Sequence, residues 1–278
     1  MGSGIVRGAA DAFSQVAFRW AARALEVLLP PSSHRLFGRH PPGRGTIPGS
    51  FEREKELVCG LGLFADAVSV LSLAPGPLEL ALLGDHPDLR VGWVEPDPRS
   101  AESFDRELAE HGWQARVVER HVRTFRTCRL RARYDVVLAP YCWPAVGERR
   151  VLLQKALAAR RPGGYLAILL PSAEDRLRDR LGAGAETTAE SLSTWARAEG
   201  FAHREERFFG EVPLDAVVDG DQLTEAGRVW ATPLRGGSWE EDPTPEDQEL
   251  VRCAFLEAAP GGLLRLPRGA LIFGPAPS

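Results

Sequence analysis

Lysine is nearly missing from this chain. Lys55 and Lys155 are the only two among 34 cationic residues, the rest being arginine. The acids outnumber them at 38, so the net charge is −4 and the pI about 5.9. A chain-wide basic footprint for a nucleic-acid backbone is therefore absent, and the arginine bias reads as the mark of a G+C-rich coding sequence. Cysteine is scarce too. Cys59, Cys128, Cys142 and Cys253 lie far apart, which excludes CxxC and zinc-knuckle spacing and leaves no metal site to expect. Such cysteines read as small apolar groups of a reducing compartment, so a cytoplasmic location is expected. No stretch of 18 uncharged apolar residues occurs, so no membrane-spanning helix is expected. No internal repeat is visible.

What is present is ordinary for a folded domain: 278 residues, 44% hydrophobic and 26% charged. That length suits one large domain, or one domain with a small appendage. A chain of this size buries roughly three quarters of its unfolded surface, so its core needs no disulfide or metal. The 28 glycines and 22 prolines predict many turns.

Near the start, Phe13, Val16, Ala17, Trp20, Ala24, Val27 and Leu28 recur at three- and four-residue steps, one face of a helix. Pro30 and Pro31 stop it. Arg7, Asp11 and Arg19 interrupt the apolar run, so a docked helix over Met1–Leu29 is expected rather than a cleaved leader or a membrane-surface segment. Residues 1–50 thus divide off as this helix and a Pro/Gly/Arg-rich linker, and residues 51–278 as the main domain.

The main domain alternates strand and helix. Strands are predicted at Val68–Leu73, Arg90–Val94, Gln114–Glu119, Tyr134–Ala139, after the turn Pro162-Gly163-Gly164, and around His203–Phe209. The intervening runs, such as RSAESFDRELAEHG and ERRVLLQKALAARR, are helical. Continuous apolar strands in this alternation predict an α/β fold: a Rossmann-like, mostly parallel sheet covered on both faces. An insertion is expected at about residues 213–260, where Thr244-Pro245-Glu246-Asp247 is a strong helix start. Leu263–Phe273 reads as a closing strand.

Ligands of such sheets sit beyond the carboxyl ends of the strands, where the strand order reverses. After the first strand the chain reads VLSLAPGPLELAL. A dinucleotide fingerprint fails at two of three glycines there, and no phosphate-loop GK[ST] is present. After the second comes VGWVEPDPRSAESF, with Glu95 at the strand end and Asp97 placed to cap a helix. After the third comes VVERHVRTF, and after the fourth YDVVLAPYCWPAV.

Over about Phe51–Phe209 these segments resemble the class I S-adenosylmethionine-dependent methyltransferases, with a degenerate first motif. The resemblance implies a central parallel sheet with an antiparallel last strand, and S-adenosylmethionine as cofactor. Ser72 falls at the family's first acid, Ala74 and Gly76 at its first two loop glycines, and Leu78 at its third. Glu95 falls at the acid that binds the ribose hydroxyls, and His121 at the position that meets the adenine. Ala139 and Pro140 would lie under the cofactor, with Tyr141 and Trp143 toward the substrate. His121, Tyr141 and His203 are the candidates for a base. The implied function is methyl transfer to a small molecule. Two alternatives stay open: a methyltransferase-like scaffold or partner subunit that has lost the cofactor, and an S-adenosylmethionine-binding enzyme that does not methylate. A protein partner or a second copy of the chain is also left open.

Overall fold

The computed structural model describes residues 52–143, 148–177, 187–228 and 244–275. The expected helix at Met1–Leu29 and the linker after it lie outside these residues.

Helix α1 (Glu52–Gly60) leads into a seven-stranded sheet. The main-sheet strands are β1 (Ser69–Leu73), β2 (Arg90–Val94), β3 (Val117–His121), β4 (Tyr134–Pro140), β5 (Arg160–Pro171) and β6 (Arg204–Pro213). A two-residue hairpin, β7 (Val218–Asp219) and β8 (Gln222–Leu223), stands apart, and β9 (Leu263–Phe273) rejoins the sheet. The connecting helices are α2 (Pro77–Asp85), α3 (Pro98–Glu110), α4 (Arg149–Ala158), α5 (Ala189–Ala198) and α6 (Pro245–Ala258).

The strand order is β3-β2-β1-β4-β5-β9-β6. Every pairing from β3 to β5 is parallel, and β9 runs antiparallel between β5 and β6. The order reverses between β1 and β4, which makes their carboxyl ends the switch point of the sheet.

Alternation along the strands sends neighbouring side chains to opposite faces. Val70, Val136 and Leu138 join α1, α2, α3 and α6 in one apolar layer. Leu71, Val137 and Ala139 join α4 and α5 in the other. Local signals fix the helix starts. Asp97 accepts from the Arg99 and Ser100 donors at the head of α3, and Thr244 accepts from Asp247 N at the head of α6.

Three expectations need correction. The third strand begins at Val117, because Gln114–Arg116 form a 3₁₀ turn first. Pro162-Gly163-Gly164 does not precede β5 but lies inside it as a bulge: pairing with β4 jumps from Tyr134–Arg160 to Val136–Tyr165. Gly164 is required there, since a Cβ would stand 2.6 Å from the Asp135 carbonyl. The sixth strand runs on to Pro213, held along its length by β9.

Candidate functional site

Two non-glycine residues with positive φ sit side by side at the switch point: Ala74 (φ 63°) just after β1 and Tyr141 (φ 53°) just after β4. Strained backbone of this kind persists only where surrounding contacts fix it, and it clusters at binding sites. Here the contacts are on both sides. Ala74 N donates to Val94 O at 2.8 Å, and Tyr141 N donates to Leu169 O at 2.8 Å. The Cys142 thiol donates to Leu73 O at 3.0 Å and ties the two turns together.

The β1 turn carries an acid that sequence reading missed. Ser72 is fully buried, and its hydroxyl donates to Glu79 Oε1 at 2.7 Å. Gly76 N donates to Glu79 Oε2, also at 2.7 Å. Glu79 is 1% exposed, and burial, against both hydrogen bonds, pushes its carboxyl up to about 7. The spacing signals it: an acid three residues after the helix cap can reach back to the cap N–H. A carboxylate therefore lies next to the position where the resemblance wants one, supplied by α2 instead of β1. Leu78, at the third glycine position, points into the core at 1% exposure.

At the end of β2, Glu95 is completely buried, and its Oε1 accepts from Asp97 N at 2.8 Å. Its own N–H donates to His121 O at 2.9 Å, which brings the second and third strand ends together. His121 Nε2 lies 3.0 Å from Glu119 Oε2. Glu119 also accepts from Tyr134 OH (2.6 Å) and the backbone N–H groups of Arg131 and Ala132. Burial would raise its carboxyl, but these donors win and hold it below the usual range. Ala139 and Pro140 are buried at the end of β4, beside Ile168 and Leu169 of β5.

Beyond Tyr141 lies a buried polar cluster that the sequence did not announce. Tyr141 OH donates to Glu54 Oε1 of α1 at 2.6 Å. The guanidinium of Arg268, on β9, stands 5.6 Å over the Tyr141 ring and donates to Asp175 Oδ2 at 2.8 Å. Burial raises the Glu54 carboxyl, opposed by Tyr141 and Arg268, and holds the Tyr141 hydroxyl well above its ordinary range.

Two expected site residues are not brought to the crevice. Trp143 is buried in the apolar layer under α4 and α5. His203 precedes the first residue of β6, at the opposite end of the sheet. Its Nε2 lies 2.8 Å from Ser193 Oγ and its Nδ1 3.0 Å from Phe201 O. Both nitrogens are engaged there as structural partners. A half-open cleft of about 780 Å³ runs along the edge strand β3, lined by Arg120, Arg123, Arg129 and Arg131 among others, and shares only His121 with the crevice. Among the described residues no group of three or more His, Cys, Asp or Glu could hold a metal, and no helix is long and apolar enough to cross a membrane.

No family model and no curated protein matches the sequence. Solved structures do. An S-adenosylmethionine-dependent methyltransferase from Thiobacillus denitrificans, in complex with S-adenosyl-L-homocysteine, is 16% identical over 86% of this chain and 95% of that one, with a TM-score of 0.52. This chain has the class I methyltransferase fold. The same fold is seen in the [4+2]-cyclase SpnF, 15% identical over 89% of this chain and 92% of that one, TM-score 0.52. An O-methyltransferase family protein from Burkholderia thailandensis is 22% identical with a TM-score of 0.46, and the chain spans about half of it, 51%, through 55% of its own length. Ser72, Ala74, Gly76, Glu95, His121 and Tyr141 lie at or just beyond the strand ends around the switch point between β1 and β4, with Glu79 of α2 bonded to Ser72 and Gly76.

Proposed function

We propose that this chain binds S-adenosylmethionine in the switch-point crevice and transfers its methyl group to a small-molecule acceptor. The observation that carries the reading is Glu95: a completely buried carboxylate at the end of β2, aimed by the Asp97 N–H. A charged acceptor so placed binds a vicinal diol with two charge-assisted hydrogen bonds, which is what a ribose needs. Ser72, Ala74 and Gly76 would border the amino-acid end, with Glu79 supplying the acid. His121 would stand at the adenine end, and Ala139 and Pro140 would form the floor. When bound, the cofactor supplies an electrophilic methyl on a sulfonium. The protein's own part is to hold the acceptor in line with it and to take the acceptor's proton. The four free cysteines support a reducing, cytoplasmic setting.

A scaffold that has lost the cofactor is the second reading. It is favoured by a turn that satisfies itself, since Gly76 N–H is already used by Glu79 and Leu78 fills the place of a glycine. The [4+2]-cyclase on the same fold keeps a third reading, a non-methylating enzyme, in view. Calorimetry with S-adenosylmethionine and S-adenosylhomocysteine separates these. Binding that weakens about tenfold to a hundredfold in Glu95→Gln, and at least as much in Glu95→Ala, supports the first reading. No binding by the wild-type chain sinks it and leaves the scaffold. Binding without turnover of any methyl acceptor favours the third.

A further inference from the structure

We propose that Glu54 is the carboxylate that receives the acceptor's proton, so that the acceptor is a molecule with a protic nucleophile, an O–H or N–H group. The inference rests on the methyltransferase reading and adds to it a catalytic residue and a substrate class.

Glu54 is 2% exposed. Its Oε1 is held by Tyr141 OH, and its Oε2, equally buried, has no hydrogen-bond partner among the described residues. A buried carboxylate oxygen left without a donor costs stability, and proteins keep such groups where something else must use them. The position says what that is. Tyr141 is the first residue beyond β4, at the switch point, with its backbone strained to φ 53°. The next residue, Cys142, is bonded to the last residue of β1. Glu54 is therefore one tyrosine side chain from the crevice, arriving from α1 across the sheet end. Gly210 on β6 packs on the same carboxylate, where a Cβ would stand in ordinary van der Waals contact with Oε1, at 3.8 Å.

The groups that face Glu54 suit the task. Tyr141 fixes the carboxylate's direction through one oxygen and leaves the other to act. Arg268, anchored on Asp175, lends positive charge nearby. Neither competes for the proton, because Tyr141 is a donor held above its ordinary range and Arg268 stays charged. In the transfer, the acceptor's oxygen or nitrogen forms a bond to the methyl carbon while the sulfonium C–S bond breaks. The electron pair of that bond stays on sulfur, which becomes a neutral thioether. The acceptor's proton moves to Glu54 Oε2, and the site returns that proton to water after release.

The test uses two ligands that share every other part. S-adenosylhomocysteine has a bare sulfur, whereas sinefungin carries an amine on a carbon in its place. A carboxylate facing the transferred methyl favours the amine. Calorimetry on the full chain should show that Glu54→Gln binds S-adenosylhomocysteine as the wild type does and loses about tenfold or more of the preference for sinefungin. An unchanged preference overturns the role of Glu54 while leaving the cofactor reading intact. A wild-type chain that binds neither ligand overturns both. Should Glu54→Gln fail to fold, the wild type alone decides. Its preference should fall as pH is lowered and Glu54, raised by burial, takes a proton, and a ratio flat throughout overturns the proposal. Glu79 also takes a proton as pH falls, but it adjoins the end common to both ligands and cancels in the ratio.

Discussion

The Ser72 hydroxyl donates to Glu79 Oε1 at 2.7 Å, joining the penultimate stretch of β1 to the first turn of α2 beneath a sealed loop. The pair has a consequence for stability. Burial raises the Glu79 carboxyl to about 7 in the folded state, against an ordinary value of 4.5. Between those two values the folded chain keeps a proton that the unfolded chain has released, so stability falls as pH rises through that window. Each pKa unit is worth about 1.4 kcal/mol, which makes the loss of order 3 kcal/mol. Gln is a neutral isostere of the protonated acid. Glu79→Gln should match the wild type in urea denaturation near pH ~5 and exceed it near pH ~8 by up to that amount. Parallel stability curves for the two proteins would refute it.

Ala74 pays for its φ of 63° with a Cβ that crowds the next carbonyl. Glycine holds that conformation without the clash, at the cost of a more flexible unfolded chain. Ala74→Gly should therefore be neutral or stabilising by up to about 1 kcal/mol, read as an unchanged or higher melting temperature. Ala74→Val should lose more than 1 kcal/mol, because a β-branched side chain is worse still in this region. A valine variant as stable as the wild type would mean that the turn relaxes out of the strained conformation.

The sheet was legible because its central strands β1, β2 and β4 are mostly apolar and several of its helices carry caps. Arg90–Val94 and Leu263–Phe273 appear with the bounds that the sequence predicts, and Thr244 and Asp97 cap the helices that they were expected to cap. Glu95 and His121 were readable as strand-end residues. Contacts between distant segments were not. Glu54 meets Tyr141 across 87 positions and Arg268 meets Asp175 across 93, and no local pattern marks either pair. His203 misled for the same reason. Its place in the chain resembles that of a base near a strand, but strand direction puts it at the wrong end, where Ser193 and Phe201 hold it.

Gly92 and Tyr134 make a matched pair under the sheet edge. A Cβ on Gly92 would overlap the Tyr134 hydroxyl, the group that donates to Glu119 at 2.6 Å. Gly92→Ala must push the tyrosine off Glu119, leaving a half-buried carboxylate with one donor fewer. A loss of about 1–3 kcal/mol is expected, and Tyr134→Phe should lose a similar amount by removing the donor alone. The double variant tells the two apart. With the hydroxyl gone, the alanine should add less than it costs alone, so the effects should fall short of additivity. Full additivity would show that Gly92 matters for some other reason. Glu119 is held below its ordinary range, so its share of stability is present near neutrality and is lost as pH falls through that depressed value.

Lys155 is one of the two lysines in the chain. Its ammonium, on α4, donates to three carbonyls of the β3–β4 connection: Phe125 O, Arg126 O at 2.9 Å and Cys128 O at 2.7 Å. The same ammonium lies 4.9 Å from the centre of the Phe125 ring. Three acceptors converging on one point suit an ammonium with three rotatable donors. The flat fork of an arginine cannot meet them together. In a chain that uses arginine almost everywhere else, this position has a geometric reason for lysine. Lys155→Arg should therefore not be conservative. A loss of about 1–3 kcal/mol is expected, which for a chain of this size lowers the melting temperature by several degrees. Lys155→Met keeps the stem's packing and loses all three donors, so it should cost at least as much. The local readout is hydrogen exchange at Thr127 and Cys128, whose N–H groups bond to Thr124 O in the turn that Lys155 braces. Their protection should drop in both variants while that of Val136 and Val137 in β4 is kept. Equal exchange in wild type and Lys155→Arg would show that the loop is held by Phe125, Cys128 and Leu130 in the apolar layer, and that the ammonium is incidental.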